Sequence, residues 1–156
     1  MVYESKYLAS KQRELFFIMK IRRLIYTSQA VKDFSKPELL DLLHDARAYN
    51  TIDNICGVLM HRNGHFLQVL EGESDPIENL LGRLQKDTRH KNLKIIHDSS
   101  VDSLLFSNWA MGSADLEAPE LSLIPGLRTD LSNKEVIQDL VIRLPEIANF
   151  LQGKMA

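Results

Sequence analysis

Two apolar runs, Ile55 to Met60 and His65 to Leu70, stand on either side of Asn63-Gly64, and this arrangement restricts the fold more than any other stretch of the chain. Asn-Gly is the dipeptide best suited to the positive φ angles of a tight hairpin, so the runs are predicted to be paired antiparallel strands. Upstream, Ile21 to Ser28 nearly alternates, with Leu24 and Tyr26 on one face and Ile25 and Thr27 on the other, as a strand does. Between these strands, Ser35 and Glu38 have capping-box spacing, Pro37 falls in the first turn, and Leu39, Leu42, Leu43 and Ala46 recur at helical intervals. A helix to about Asn50 follows from that pattern.

The second half repeats the logic. Gly72 and Ser74 punctuate the exit from the hairpin, Pro76 suits a first helical turn, and Ile77, Leu80, Leu81 and Leu84 form an amphipathic stripe ending near Asp87. Leu93 to Ser100 and Phe106 to Gly112 read as two more strands, the latter with Trp109 and Met111 on one face. The order β-α-β-β-α-β-β, with right-handed crossovers, places both helices on the same side of one sheet. The expected fold is α+β, a ferredoxin-like sandwich of a five-stranded mixed sheet with two helices on one face. Beyond Gly112, Pro119, Pro125 and Gly126 break regularity. Ser132 and Glu135 then repeat the capping-box spacing ahead of Val136, Ile137, Leu140, Val141 and Leu144, predicting a C-terminal helical extension with a kink at Pro145.

At 156 residues the chain suits one domain with a modest appendage. A formal charge of −2 provides no field for recruiting nucleic acid or an anionic membrane. Cys56 is the only cysteine, so neither an internal disulfide nor a multi-cysteine zinc site can form, and the cytoplasm is the expected compartment. Leu15 to Met19 is too short an apolar run for a signal peptide and no small-residue cleavage site follows it. No stretch is long and apolar enough to span a bilayer. His61 and His65 flank the hairpin turn, while His44, His90 and His97 lack a metal-ligand companion at helical spacing. No Walker loop, Gly-x-Gly-x-x-Gly or Gly-x-Ser-x-Gly motif occurs, which turns the reading away from an enzyme.

Polar residues on apolar faces carry the functional signal. Gln68 shares a strand face with Phe66 and Leu70, and a buried amide without partners costs about 1–3 kcal/mol. It is either a core glutamine satisfied by backbone or a tyrosine, or a ligand contact. Asn50 falls on the buried stripe of the first helix, where it is either a left-handed helix stop or an inward-pointing amide. Arg83 and Asp87 sit four apart beside the second stripe, a surface pair or the rim of a groove suited to a flat heterocycle. Tyr26, Trp109 and Met111 are compatible with ordinary core packing. Composition and spacing leave these alternatives open.

Five segments together resemble the BLUF family, sensors of blue light that use flavin. They are LIYTSQ at 24–29, ICGVLM at 55–60, GHFLQVLEGE at 64–73, RLQKDTRH at 83–90 and FSNWAMG at 106–112, with Asn50 closing the first helix. The resemblance covers about residues 20–113, leaving 1–19 as an N-terminal extension and 114–156 as a C-terminal helical output or capping region. It implies a non-covalent flavin between the helices, FAD in the usual case with FMN or riboflavin as alternatives. Asn50 would meet the ring's carbonyl and imide edge, Arg83 its other carbonyl side, and Gln68 would sit between Tyr26 and the ring. Asp87, Arg89 and His90 lie where relatives approach the ribityl or phosphate region.

The resemblance also implies a photochemical role in place of turnover. Tyr26 would donate an electron and a proton, Gln68 would rotate or tautomerise, and Trp109 and Met111 would repack to signal toward the C-terminal helix and a protein partner. A homo-oligomer is expected of such a short sensor. Ala46 stands where some relatives have serine and Tyr49 where others have asparagine or histidine, so the secondary contacts around the ring are expected to differ. Met19 is an alternative initiator. The competing readings are a light-insensitive ferredoxin-like ligand-binding module and a small hydrolase of the acylphosphatase kind. The second is disfavoured because Gln29 to Lys36 has no glycine for an anion cradle.

Overall fold

Alternation along three central strands decides the architecture, because each strand carries a different apolar set on each of its faces. The computed structural model describes residues 21–155. The expectations for an extension at 1–19 and an initiator at Met19 lie outside those residues. The elements are β1 (Ile21–Ala30), α1 (Lys36–Asp53), β2 (Cys56–Arg62), β3 (His65–Glu73), α2 (Ser74–Lys86), β4 (His90–Val101) and β5 (Gly112–Asp115). A short 3-10 helix (Pro119–Leu123), α3 (Lys134–Ile142) and α4 (Leu144–Met155) follow.

The strands form one five-stranded sheet in the order β4-β1-β3-β2-β5. β1 pairs antiparallel with both β3 and β4, β3 pairs antiparallel with β2, and β5 joins β2 in parallel. This is the expected ferredoxin-like α+β sheet with an added edge strand. The hairpin turn has Asn63 at φ 50° and Gly64 at φ 75°, the mirror-image turn whose twist matches that of its strands.

Leu24 and Tyr26 of β1, Leu59 of β2, and Phe66 and Leu70 of β3 pack with Leu43 of α1 and Ile77 and Leu81 of α2. The opposite face, with Ile25, Val58, Met60, Leu67 and Val69, packs against Val136, Leu140, Leu144, Ile147 and Ala148 of α3 and α4. The C-terminal helices therefore form a third layer with their own share of the core.

Three expectations need correction. First, Phe106 to Met111 is not a strand. Trp109 N–H is bonded to the Phe106 carbonyl at 3.0 Å, closing a turn, and its own carbonyl accepts from Gly57 N–H at 3.0 Å. Those contacts occupy the groups a ladder would need, so β5 starts only at Gly112. Consequently Trp109 and Met111 do not share a face: Trp109 packs with the cluster under the C-terminal helices, and Met111 with the cluster under α1 and α2. Second, α1 runs past Asn50 to Asp53, and its left-handed stop is Asn54 at φ 54°. Third, the C-terminal helix is two helices broken at Arg143, and its cap is Asn133, whose side chain accepts from Glu135 and Val136 N–H, while the Ser132 hydroxyl bonds to Asp130. Asn133, not the expected Ser132, is therefore the cap, and Pro145 lies in the first turn of α4, where a missing N–H costs no helical hydrogen bond.

Candidate functional site

The first turn of α1 is held by the expected capping box, with Glu38 N–H bonded to Ser35 Oγ at 3.3 Å and Ser35 N–H to Glu38 Oε1 at 3.4 Å. Helices α1 and α2 are thereby set over the sheet with a cavity of about 190 Å³ between them. A dry cavity of about 150 Å³ is already enough to take up a benzene ring, so this space exceeds a packing flaw. Its floor is Tyr26, Leu59, Phe66 and Gln68 of the sheet, and Leu42, Ala46, Leu80 and Leu84 line it from the two helices. Flat apolar walls with polar groups at the margins suit an aromatic heterocycle.

Tyr26 and Gln68 are direct partners in the β1–β3 register. The Tyr26 hydroxyl donates to Gln68 Oε1, and Gln68 Nε2 donates to the Met111 thioether at 3.3 Å. Gln68 is only 6% exposed, and each end of its amide has a protein partner. A register shift against β4 falls between Ile25 and Tyr26, and such irregularities re-aim the side chain beside them. Burial pushes the Tyr26 phenol above its ordinary range, and the Asp87 charge adds to the effect. Its proton is therefore firmly held in the folded protein.

Asn50 is 1% exposed and points inward, as one of its two expected readings required. Its Nδ2 donates to the Ala110 carbonyl at 2.8 Å, whereas Oδ1 is buried with no hydrogen-bond partner. A buried acceptor in that condition calls for a donor. It is not among the side chains that line the cavity.

Arg83 does line the cavity, with its guanidinium 4.7 Å from the centre of the Tyr49 ring and 3.5 Å from Asp53 Oδ2. Its expected neighbour Asp87 is instead bonded to Arg89, at 2.9 Å through the backbone N–H and 2.7 Å through Nη2. Those bonds hold the Asp87 carboxyl below the usual carboxylate range and raise the Arg89 guanidinium. His90 Nε2 lies 2.6 Å from the Leu84 carbonyl, which can only accept, so that nitrogen carries a proton. Its Nδ1 meets Ser28 Oγ at 2.9 Å, and the ring stands edge-on to Tyr26 with centroids 6.2 Å apart.

Tyr26, Gln68, Arg83, Asp87, Arg89 and His90 thus come together around one cavity, while Asn50 and Met111 are outside its lining, Met111 being bonded to Gln68. Trp109 does not join them. It stacks on Phe106 with centroids 6.1 Å apart, on the other face of the sheet. Ala46 and Tyr49, named as positions of secondary ring contacts, line the cavity, as do Ser28, Phe34 and Asp45, which had not been singled out as its residues. Period-two alternation from Leu24 and Tyr26 would have found Ser28; the others depend on how the helices dock.

The site residues fit a flavin on two counts. The cavity admits a flat ring with apolar faces, and the unpartnered Asn50 Oδ1 is an acceptor suited to an imide N–H.

Comparison with known proteins bears on the same residues. The family described as BLUF, sensors of blue light using FAD, matches residues 21–112. Photoactivated adenylate cyclase subunit beta of Euglena gracilis is 34% identical over 110 residues, which make up 70% of this chain and 13% of that protein. The chain therefore spans only a small fraction of the length of such curated relatives. Among solved structures, BlsA in its photo-activated state superposes with a TM-score of 0.63 at 29% identity, covering 80% of this chain and 94% of that one. Klebsiella pneumoniae BlrP1 with FMN and cyclic diGMP superposes with a TM-score of 0.62 at 26% identity, covering 83% of this chain and 35% of that one.

Proposed function

The chain belongs to the BLUF family of blue-light sensors, and from that premise we propose that it is a photoreceptor in which Tyr26 and Gln68 are donor and switch, not an enzyme acting on a substrate. The hydrogen bond between these two side chains in the floor of the cavity carries the proposal. When bound, the flavin supplies blue absorption and an oxidising excited state. Arg83 on the cavity wall and Asn50, whose Oδ1 has no partner, would hold the polar edges of its ring, and Asp87, Arg89 and His90 would stand toward its ribityl or phosphate end.

Burial disfavours a tyrosinate at Tyr26, so the electron that this residue would give to the excited flavin leaves from the neutral phenol, whose proton already bonds Gln68 Oε1, and both would return to Tyr26 on recombination. Gln68 can then rotate or tautomerise. A rotated amide presents oxygen where nitrogen was. The Met111 sulfur accepts and cannot donate, so rotation replaces an attractive N–H···S contact with two facing acceptors. Met111 is thereby the first residue outside the switch to be disturbed. The signal leaves through residues 114–156 toward a protein partner.

FAD is the family's usual flavin. Both guanidiniums lining the cavity already face carboxylates, Arg89 facing Asp87 and Arg83 facing Asp53, so affinity rests on the ring. FMN and riboflavin should therefore also enter.

The decisive experiment is an absorption spectrum of flavin-loaded protein before and after blue illumination, beside the Gln68→Leu variant. The wild type should shift reversibly to the red. The variant should retain flavin and lose the shift. A colourless protein after flavin supplementation would overturn the photoreceptor reading, and a normal photocycle in Gln68→Leu would overturn the switch.

A further inference from the structure

Glu71 is a charged side chain with 0% exposure, and the light response described above makes no use of it. It occupies the face of β3 opposite to Gln68, among the residues packed under α3 and α4. Its Oε2 accepts from Arg23 Nε at 2.8 Å and lies 2.7 Å from Arg23 Nη2. Apart from the Cys56 thiol, 3.9 Å from Oε1, its other donors come from the loop after β4. Leu105 N–H donates to Oε1 at 2.9 Å and Phe106 N–H donates to the same oxygen at 2.9 Å. Arg23 Nη2 also donates to the Ser103 carbonyl at 3.1 Å.

The same loop reaches the C-terminal helix. Gln152 of α4 donates from Nε2 to the Leu105 carbonyl at 2.6 Å. At the loop's other end, Met111 receives the Gln68 amide. One loop is therefore tied twice to β3, through Gln68 at Met111 on the cavity face and through Glu71 at Leu105 and Phe106 on the helix face. Between the ties, Phe106 and Trp109 are joined by a hydrogen bond and stacked rings.

We infer that Glu71 is a positioning residue for the light signal: it fixes one end of the loop, so that displacement of Met111 at the other end is delivered to α4 through Leu105 and Gln152. The inference rests on the photoreceptor reading. A carboxylate receiving a guanidinium and two backbone N–H groups makes short, strong, charge-assisted bonds, and a lever needs such a fixed point. A carboxamide in its place offers one acceptor oxygen and turns a donor toward Arg23 or the loop amides, so Glu71→Gln loosens the fixed point while nearly preserving its shape.

The test uses the full, flavin-loaded chain and compares hydrogen exchange in light and dark for wild type, Glu71→Gln and Gln152→Ala, with the absorption shift recorded on each sample. Both variants should keep the red shift. Their light-minus-dark exchange difference across residues 144–155 should fall by roughly two-fold or more, within the range by which residues on a coupling route alter it. A role confined to stability would change exchange equally in light and dark and leave the difference intact, which would overturn the inference. A wild type that shows the red shift without any light-dependent change in α4 would also overturn it, leaving the photoreceptor reading standing. Absence of the red shift in wild type would instead overturn that reading and the inference together. If Glu71→Gln does not fold, Gln152→Ala decides alone, because its side chain is only half-buried on the last helix.

Discussion

Tyr26 and Gln68 face each other because β1 and β3 run antiparallel in a register that makes them partners, and a one-residue slip would have turned both side chains to opposite faces. The contact satisfies the glutamine oxygen inside an otherwise apolar floor. Replacing Tyr26 by Phe leaves that oxygen without its donor, so unfolding in urea should show a loss of about 1–3 kcal/mol in the flavin-free protein. The flavin-loaded variant should lose the normal red shift. A shift identical to wild type would mean that Tyr26 is not the required donor. Arg23 and Glu71 are a second partnered pair in the same register, and removing Arg23 leaves a fully buried carboxylate without its counter-charge, held only by hydrogen-bond donors such as the Leu105 and Phe106 N–H groups. An Arg23→Met variant should be destabilised by about 3–5 kcal/mol, read from the denaturation midpoint.

At the scale of elements, the segment before β5 matters most. Read by periodicity alone, Phe106 to Gly112 has the composition of a strand, yet its backbone groups are committed to a turn and to Gly57. Gly112 then permits the tryptophan ring to lie against the backbone: a Cβ there would sit 1.7 Å from Trp109 Cε3. Gly112→Ala must displace the indole, an overpacking change of about 1–3 kcal/mol. Because the chain has a single tryptophan, the displacement should be visible directly as altered emission and stronger quenching by iodide. Unchanged fluorescence would mean that the strand shifts and the ring stays. The end of α1 teaches a related lesson. Asparagine at 50 and at 54 both suit a left-handed stop, but only Asn54 adopts positive φ, which frees Asn50 to turn inward.

For the whole molecule, the two faces of the sheet are occupied by different helices doing different work. Helices α1 and α2 enclose the cavity, whereas α3 and α4 cover Ile25, Val58, Met60, Leu67 and Val69. Each such side chain gains roughly 1.5–3 kcal/mol from burial, so the C-terminal region is part of the core as well as the proposed exit for the signal. A chain truncated after Asp130 should therefore expose a contiguous apolar face and self-associate, which light scattering would detect. A monodisperse, stable truncated protein would show that the sheet does not depend on this layer. Among the described residues no helix is long and apolar enough to cross a membrane, so the apolar faces of α3 and α4 are explained by the sheet they cover.

Local patterns in the chain were enough to determine the hairpin at Asn63-Gly64, both central helices, the alternation that puts Leu24 and Tyr26 together, and the ordered motifs of the family. Those features depend on neighbours in sequence, through turn geometry, capping and side-chain period. The tertiary structure alone decided that Asp87 pairs with Arg89 while Arg83 turns to Tyr49 and Asp53, and that Trp109 and Met111 part to opposite faces. It also decided that Glu71 ties a distant loop to β3. These outcomes turn on partners that the chain brings together only on folding, Arg83 with Tyr49 and Asp53 and Glu71 with Leu105 and Phe106, and on which donors and acceptors remain unsatisfied once the sheet has formed.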